Sequence, residues 1–322
     1  STPKPSSAAS DVYKRQLNWL RMLFVVRGSI LRNIAPQLII TTALAVLVTH
    51  LHGQLLWWKV PLNFVPFSLI GLTLAIFLGF RNSTSYARYW EARMLWGALL
   101  VETRALVRQS LTLIDDAPSP AGPDGPTGGV RALARLLAAF THAFKHQMRG
   151  TDPTVDLDRL LELPQRERLS GVRFKPAMLL LMVGEWLRDR RREGRLSPVL
   201  VPTLERSVAR LGEALGGCER IASTPIPFPY SVIIHRTVYF YCVMLPFGLV
   251  DSIGSMTPVI VAFIAYTFFA LEALGAEIEQ PFGTELNDLP LDALARTIEN
   301  NLREALGETL LPEPEAQDYV LT

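Results

Sequence analysis

The sequence predicts an all-α integral membrane protein with four transmembrane helices and a large helical cytosolic domain. Three observations carry this. Four stretches are apolar over about the thickness of a bilayer, which a helix crosses in roughly 20 residues. The basic residues avoid two of the connections between those stretches. The long segment between the second and third stretches has helical periodicity and no strand pattern. Of the 322 residues 49% are hydrophobic and only 19% charged, and the charge is very unevenly placed, as in a membrane protein rather than a merely apolar soluble one.

In chain order, residues 1–16 open with S-T-P-K-P-S-S-A-A-S, small and polar, and read as a disordered leader. Residues 17–80 hold an interfacial helix and the first two transmembrane helices. Within 11–33, Trp19, Leu20, Leu23 and Phe24 alternate with Arg15, Arg21, Arg27 and Arg32, the pattern of a helix lying at a membrane surface. The first apolar segment spans Ile34 to His50. Trp57 and Trp58 follow in a short loop, as in an interfacial aromatic belt. The second segment carries no charge from Leu62 to Phe80. At Arg81 the chemistry changes, and Arg88, Glu91 and Arg93 follow at helical spacing. One long helix therefore leaves the membrane at Arg81 and continues into water or against protein.

Residues 81–229 form the cytosolic domain. Four runs in it place an apolar residue every third or fourth position, and D-D-A-P-S-P-A-G-P-D-G-P-T-G-G interrupts them as a loop. Residues 230–276 hold the third and fourth transmembrane helices, and 277–322 a cytosolic segment with a polar tail. Lys59 is the one basic residue between segments one and two, and D-S-I-G-S-M between three and four has none. The positive-inside rule then puts both termini in the cytoplasm.

The second segment offers two stripes. Leu72, Ile76 and Phe80 share one side of the helix. Ser68, Gly71, Ala75 and Gly79 form a small-residue stripe where another helix can approach closely. Around a common axis the first stripe would stack into apolar rings that gate by dewetting; lipid contact or ordinary packing is the plainer reading. His142 and His146 stand four apart, a spacing that can bring both imidazoles to one metal; solvent-facing or capping histidines are the expectation. His235, near the start of segment three, is expected to reach the interface. Arg188 to Arg195 is expected to be a solvated helix end, and Glu272, Glu277, Glu279, Glu285, Asp288 and Asp292 a solvated acidic face. The net charge of +2 is too small to imply nucleic acid, and two distant cysteines imply reduced thiols. No nucleophile elbow, phosphate loop or dinucleotide fingerprint is present, so the expectation is a protein that is not an enzyme.

Three stretches together carry a resemblance. They are P-F-S-L-I-G-L-T-L-A-I-F-L-G-F-R-N-S-T-S-Y-A-R-Y-W-E-A-R-M-L-W-G, G-G-C-E-R-I-A-S-T-P-I-P-F-P-Y and E-Q-P-F-G-T-E-L-N-D-L-P-L-D. The chain resembles the bestrophin family, in its prokaryotic branch, from about Trp19 to Leu306. The resemblance implies a homopentameric ion channel with one pore on the five-fold axis, in contact with membrane lipids and with permeant monovalent ions. It maps the pore neck onto Leu72, Ile76 and Phe80 and a cytosolic aperture onto Val199. Animal members conduct chloride and are opened by calcium, whereas prokaryotic relatives look more like monovalent cation channels. Where the animal calcium clasp is a continuous acidic run, this chain has Thr284, Leu286, Asn287 and Leu289. Only Glu285 and Asp288 remain as a weak cation site, so the expectation is no cofactor and no calcium activation. Arg88, Glu91 and Arg93 are expected to be structural. The predicted location is a bacterial inner membrane. The competing reading is a non-conducting membrane scaffold that binds a cytosolic partner.

Overall fold

The structure, a computed structural model, describes residues 30–52, 54–55, 58–59, 64–115 and 128–313. The leader, nearly all of the predicted interfacial helix, Trp57, most of the glycine-proline loop and the end of the polar tail lie outside the described residues. Helices dominate. The exception among the described residues is a two-residue antiparallel pairing of Gln54–Leu55 (β1) with Trp58–Lys59 (β2), where hydropathy predicts only a loop.

The helices are Leu31–His50 (α1), Phe64–Leu113 (α2), Gly128–Arg149 (α3), Thr154–Leu160 (α4), Leu163–Leu169 (α5), Lys175–Arg192 (α6), Val201–Ser223 (α7), Phe228–Ile253 (α8), Thr257–Ile278 (α9) and Leu291–Ala305 (α10). Proline stands in the first turn of α5, α6, α7, α8 and α9. There its fixed φ suits the helix and its missing N–H costs nothing. A 3₁₀ turn, Gly254–Met256, joins α8 to α9. Gly254 opens it at φ +53°, a left-handed value that favours a residue without Cβ.

Helix α2 is continuous over 50 residues. At 1.5 Å per residue it is about 75 Å long, more than twice the hydrocarbon thickness of a bilayer. It contributes to two compact units, which divide between Tyr89 and Trp90.

The first unit takes the described residues up to Tyr89 together with Pro225–Pro281. In it α9 packs on α1 and α8, and α8 on α1. One side of α2 joins them through Phe67, Leu74 and Leu78, which share a core with Val238, Tyr241, Leu245, Val261 and Phe269. Among the described residues three stretches are long and apolar enough to cross a membrane: Leu31–His50, Val65–Leu113 and Phe228–Ile278. The last contains α8 and α9.

The second unit comprises Trp90–Thr224 and the segment from Phe282 onward. Helix α3 is central, packing on α6, α10 and α4, and α6 packs on α7. Its apolar face explains this. Leu133, Leu137, Phe140 and Phe144 recur every three or four residues and are fully buried. Trp96 of α2 stacks on Phe144 with ring centroids 5.1 Å apart.

Candidate functional site

The uncharged half of α2 presents two contrasting sides. Phe67, Leu74 and Leu78 are buried. Leu72, Ile76 and Phe80 are 61%, 51% and 66% exposed. Periodicity requires such a division: residues four apart share a face, and each ring residue lies two positions from a buried one. The protomer covers none of the three candidate neck side chains. Val199, in the turn between α6 and α7, is 83% exposed.

The small-residue stripe is not uniform. Gly71 is used within the protomer, since a Cβ there would lie 2.7 Å from the Tyr241 hydroxyl. Ser68, Ala75 and Gly79 are exposed, and Gly79 has nothing near it.

At Arg81, the residue after Phe80, the helix lies against protein rather than in water. Arg81 is 4% exposed and lies 3.5 Å from both Glu272 and Glu279 of the α9 region. Glu279 is a hub. Its Oε1 accepts from the Ile226 backbone N–H at 3.2 Å, and its carbonyl accepts from Arg88 Nε at 3.2 Å. Asn82 donates to the Leu271 carbonyl at 3.1 Å. Gly275 permits this approach, because a Cβ there would sit 2.1 Å from Asn82 Oδ1. The expected solvated acidic face is thus corrected at Glu272 and Glu279, and also at Asp288, which is buried. Glu272 and Glu279 are seven residues apart, two helical turns, and face one buried arginine. Two acids at that spacing at the end of an apolar helix are the signal that reveals it. His235 is exposed, with its Nδ1 3.1 Å from Glu272 and its ring tilted at 41° to that of Tyr239, centroids 4.3 Å apart.

Arg88, Glu91 and Arg93 each have a different partner. Arg88 holds the Glu279 carbonyl, Glu91 pairs with Arg220, and Arg93 lies over the Trp90 ring at 5.7 Å. At the weak cation site Glu285 is exposed. Asp288 is buried, and its Oδ2 accepts from the Glu285 backbone N–H at 2.7 Å. Asp288 thereby closes a turn rather than presenting a free carboxylate oxygen there. The arginine-rich end of α6 is mostly exposed and pairs locally, Arg190 with Glu193 at 2.9 Å.

The second unit holds a charged network that periodicity does not reveal. His142 is 2% exposed, against the expectation of a solvent-facing ring. Its Nε2 lies 2.8 Å from Glu299 and its Nδ1 3.1 Å from Asp156. His146 also reaches Asp156, at 3.1 Å. The four-residue spacing does bring both imidazoles to one partner, and the partner is a carboxylate. Arg159 binds both oxygens of Glu299 at 2.5 and 2.9 Å. Lys145 reaches Asp156 at 3.2 Å and Asp292 at 2.9 Å. Burial alone would lower the His142 pKa, but hydrogen bonds to Asp156 and Glu299 outweigh it and raise the value above 6.5. The His142 contact holds Asp156 far below the carboxylate range. Burial would raise Glu299, but Arg159 and His142 hold it low. Burial pushes the Cys218 thiol up to about 12.

The comparisons with known proteins follow this geometry. A family model described as bacterial/fungal bestrophin protein matches residues 11–304. The voltage-dependent anion channel-forming protein of Ralstonia nicotianae is 47% identical over 96% of this chain and 99% of its own. The protein of the same description, YneE, from Escherichia coli is 40% identical over 94% of this chain and 96% of its own. A crystal structure of a bacterial bestrophin homolog from Klebsiella pneumoniae superposes with a TM-score of 0.79 at 39% identity, covering 86% of this chain and 99% of that one. The chain belongs to the bacterial and fungal bestrophin family.

Proposed function

We propose that this chain is the subunit of a homopentameric channel that passes small monovalent ions across a bacterial inner membrane. Four spans are assigned: α1, the uncharged half of α2, α8 and α9. Both termini are cytoplasmic and residues 81–229 form the cytosolic domain. Leu72, Ile76 and Phe80 make the neck and Val199 the cytosolic aperture. The observation that carries the reading is the exposed apolar face of α2. Three large side chains recur every fourth residue on a side that the protomer leaves uncovered, next to exposed Ser68, Ala75 and Gly79. Small residues let neighbouring helices approach, and stacked apolar rings make a constriction that controls conduction by wetting. The names of the relatives, voltage-dependent anion channel-forming proteins, support the channel reading and favour an anion.

The neck residues are uncharged and cannot select ions by Coulomb attraction. The charge sign of the permeant ion therefore rests on other parts of the pathway. No calcium requirement is proposed, because the continuous acidic run of the animal clasp is reduced here to Glu285 and Asp288, and Asp288 Oδ2 accepts the Glu285 backbone hydrogen bond.

The test is a reversal potential measured with purified protein in a planar bilayer under a potassium chloride gradient. A channel gives a nonzero potential whose sign identifies anion or cation. A detergent-solubilised particle of five copies that carries no current would instead support the scaffold reading, and a monomer would overturn the pentamer.

A further inference from the structure

The second unit contains a cavity of about 410 Å³ that the pore reading does not use. Its floor is Glu299, 1% exposed. Arg159 and Arg303 reach it there, Arg303 Nε at 3.1 Å. Arg131 and Arg135 line the opposite wall, four residues apart on α3 and so on one face. Arg131 pairs with Glu308 at 3.0 Å. Glu308 belongs to a segment that turns back at Gly307, φ +70°, and is clamped by Asn300, which exchanges two hydrogen bonds of 2.9 Å with the Leu311 backbone.

The charge count is unequal. Four guanidiniums line the cavity against three carboxylates, Glu162, Glu299 and Glu308. Glu299 is already shared among Arg159, Arg303 and His142. Among the described residues Arg135 has no hydrogen-bond or ion-pair partner. The remaining lining is apolar, with Ala138, Leu161 and Leu302 buried. Seven of the thirteen lining residues are charged, so the cavity suits a small anion rather than an apolar body. A planar guanidinium fork matches a carboxylate or phosphate.

We propose that this cavity binds a small anion with a carboxylate or phosphate head group. That group meets Arg135 and exchanges with Glu308 for Arg131. The site is independent of whether the pore conducts, because every lining residue belongs to the second unit and none is a neck or aperture residue.

The experiment is isothermal titration of the full chain in detergent, at fixed chloride, with benzoate, phenyl phosphate and inorganic phosphate. The expected result is saturable binding of inorganic phosphate and of phenyl phosphate with similar affinity, because the charged lining reads the head group. Arg135→Gln, at an exposed position without a partner, should weaken it about tenfold and leave the melting temperature of the ligand-free protein unchanged. Which aromatic probe binds more tightly separates a carboxylate head from a phosphate. Absence of saturable binding of all three probes, or equal affinity in Arg135→Gln, would each overturn the proposal.

Discussion

The uncharged half of α2 and the buried network between α3 and α10 invert the usual rule in opposite ways. On α2, Leu72, Ile76 and Phe80 stand uncovered. In the network, His142, Lys145 and Glu299 are buried. The first face lacks a partner within the protomer, and its energetics belong to an assembly or a lipid surface. The second is complete within the protomer: each charge is compensated by another at hydrogen-bond distance, which is the condition on which charges tolerate burial. An exposed apolar stripe and a buried ionic cluster therefore predict opposite responses to mutation. Truncating the stripe should alter transport and spare folding, while truncating the cluster should cost stability.

The largest stability effect is expected at Glu299. Glu299→Ala leaves Arg159, Arg303 and His142 facing one another without their shared carboxylate, and should destabilise the chain by about 3–5 kcal/mol. Thermal or denaturant unfolding of the purified protein measures it. A loss below about 1 kcal/mol, the range of exposed pairs, would mean the network is solvated in practice.

A smaller loss is expected at the contact between α9 and α2. Gly275→Ala puts a methyl group against Asn82 Oδ1, 2.1 Å away before adjustment. Asn82 must then give up its bond to Leu271 or the helices must separate, at a cost of about 1–3 kcal/mol. Unfolding of the variant beside Gly184→Ala checks it, because Gly184 lies inside α6 with open space around it and its substitution should be neutral or mildly stabilising.

The pH effect is the smallest. The folded pKa of His142 lies above its unfolded value near 6.5. Its contribution to stability is thus fully present below 6.5 and is lost as pH rises through the folded value. Asp156 and Glu299 have depressed values, so their contributions hold above the ordinary carboxylate range and fade only as pH falls well below it. Unfolding free energy followed from neutral to alkaline pH should decline, and His142→Gln should flatten that decline. An equal slope in the variant would remove His142 as its cause.

These regions also differ in how far the sequence discloses them. The continuous α2, the helical character of the chain and the shared face of Leu72, Ile76 and Phe80 follow from local spacing, because a helix fixes which residues are neighbours along it. The proline positions mark five helix starts for the same local reason. The partners of Arg81 do not follow, since Glu272 and Glu279 lie about 190 residues away and become neighbours only when α2 and α9 pack. His142 illustrates the limit more sharply. Its spacing from His146 is legible, and so is their convergence on one partner. That the partner is Asp156, and that Glu299 from α10 closes the other side, depends on tertiary packing that no local period encodes.

The central claim is that the exposed stripe on α2 is a hydrophobic neck. Single-channel current in a planar bilayer tests it with the combined Leu72→Ala, Ile76→Ala and Phe80→Ala protein, compared with the unaltered chain at equal protein content. A widened, more readily wetted neck should raise the current several-fold, with folding stability nearly unchanged because these side chains are uncovered within the chain. A current equal to that of the unaltered protein would contradict the neck assignment.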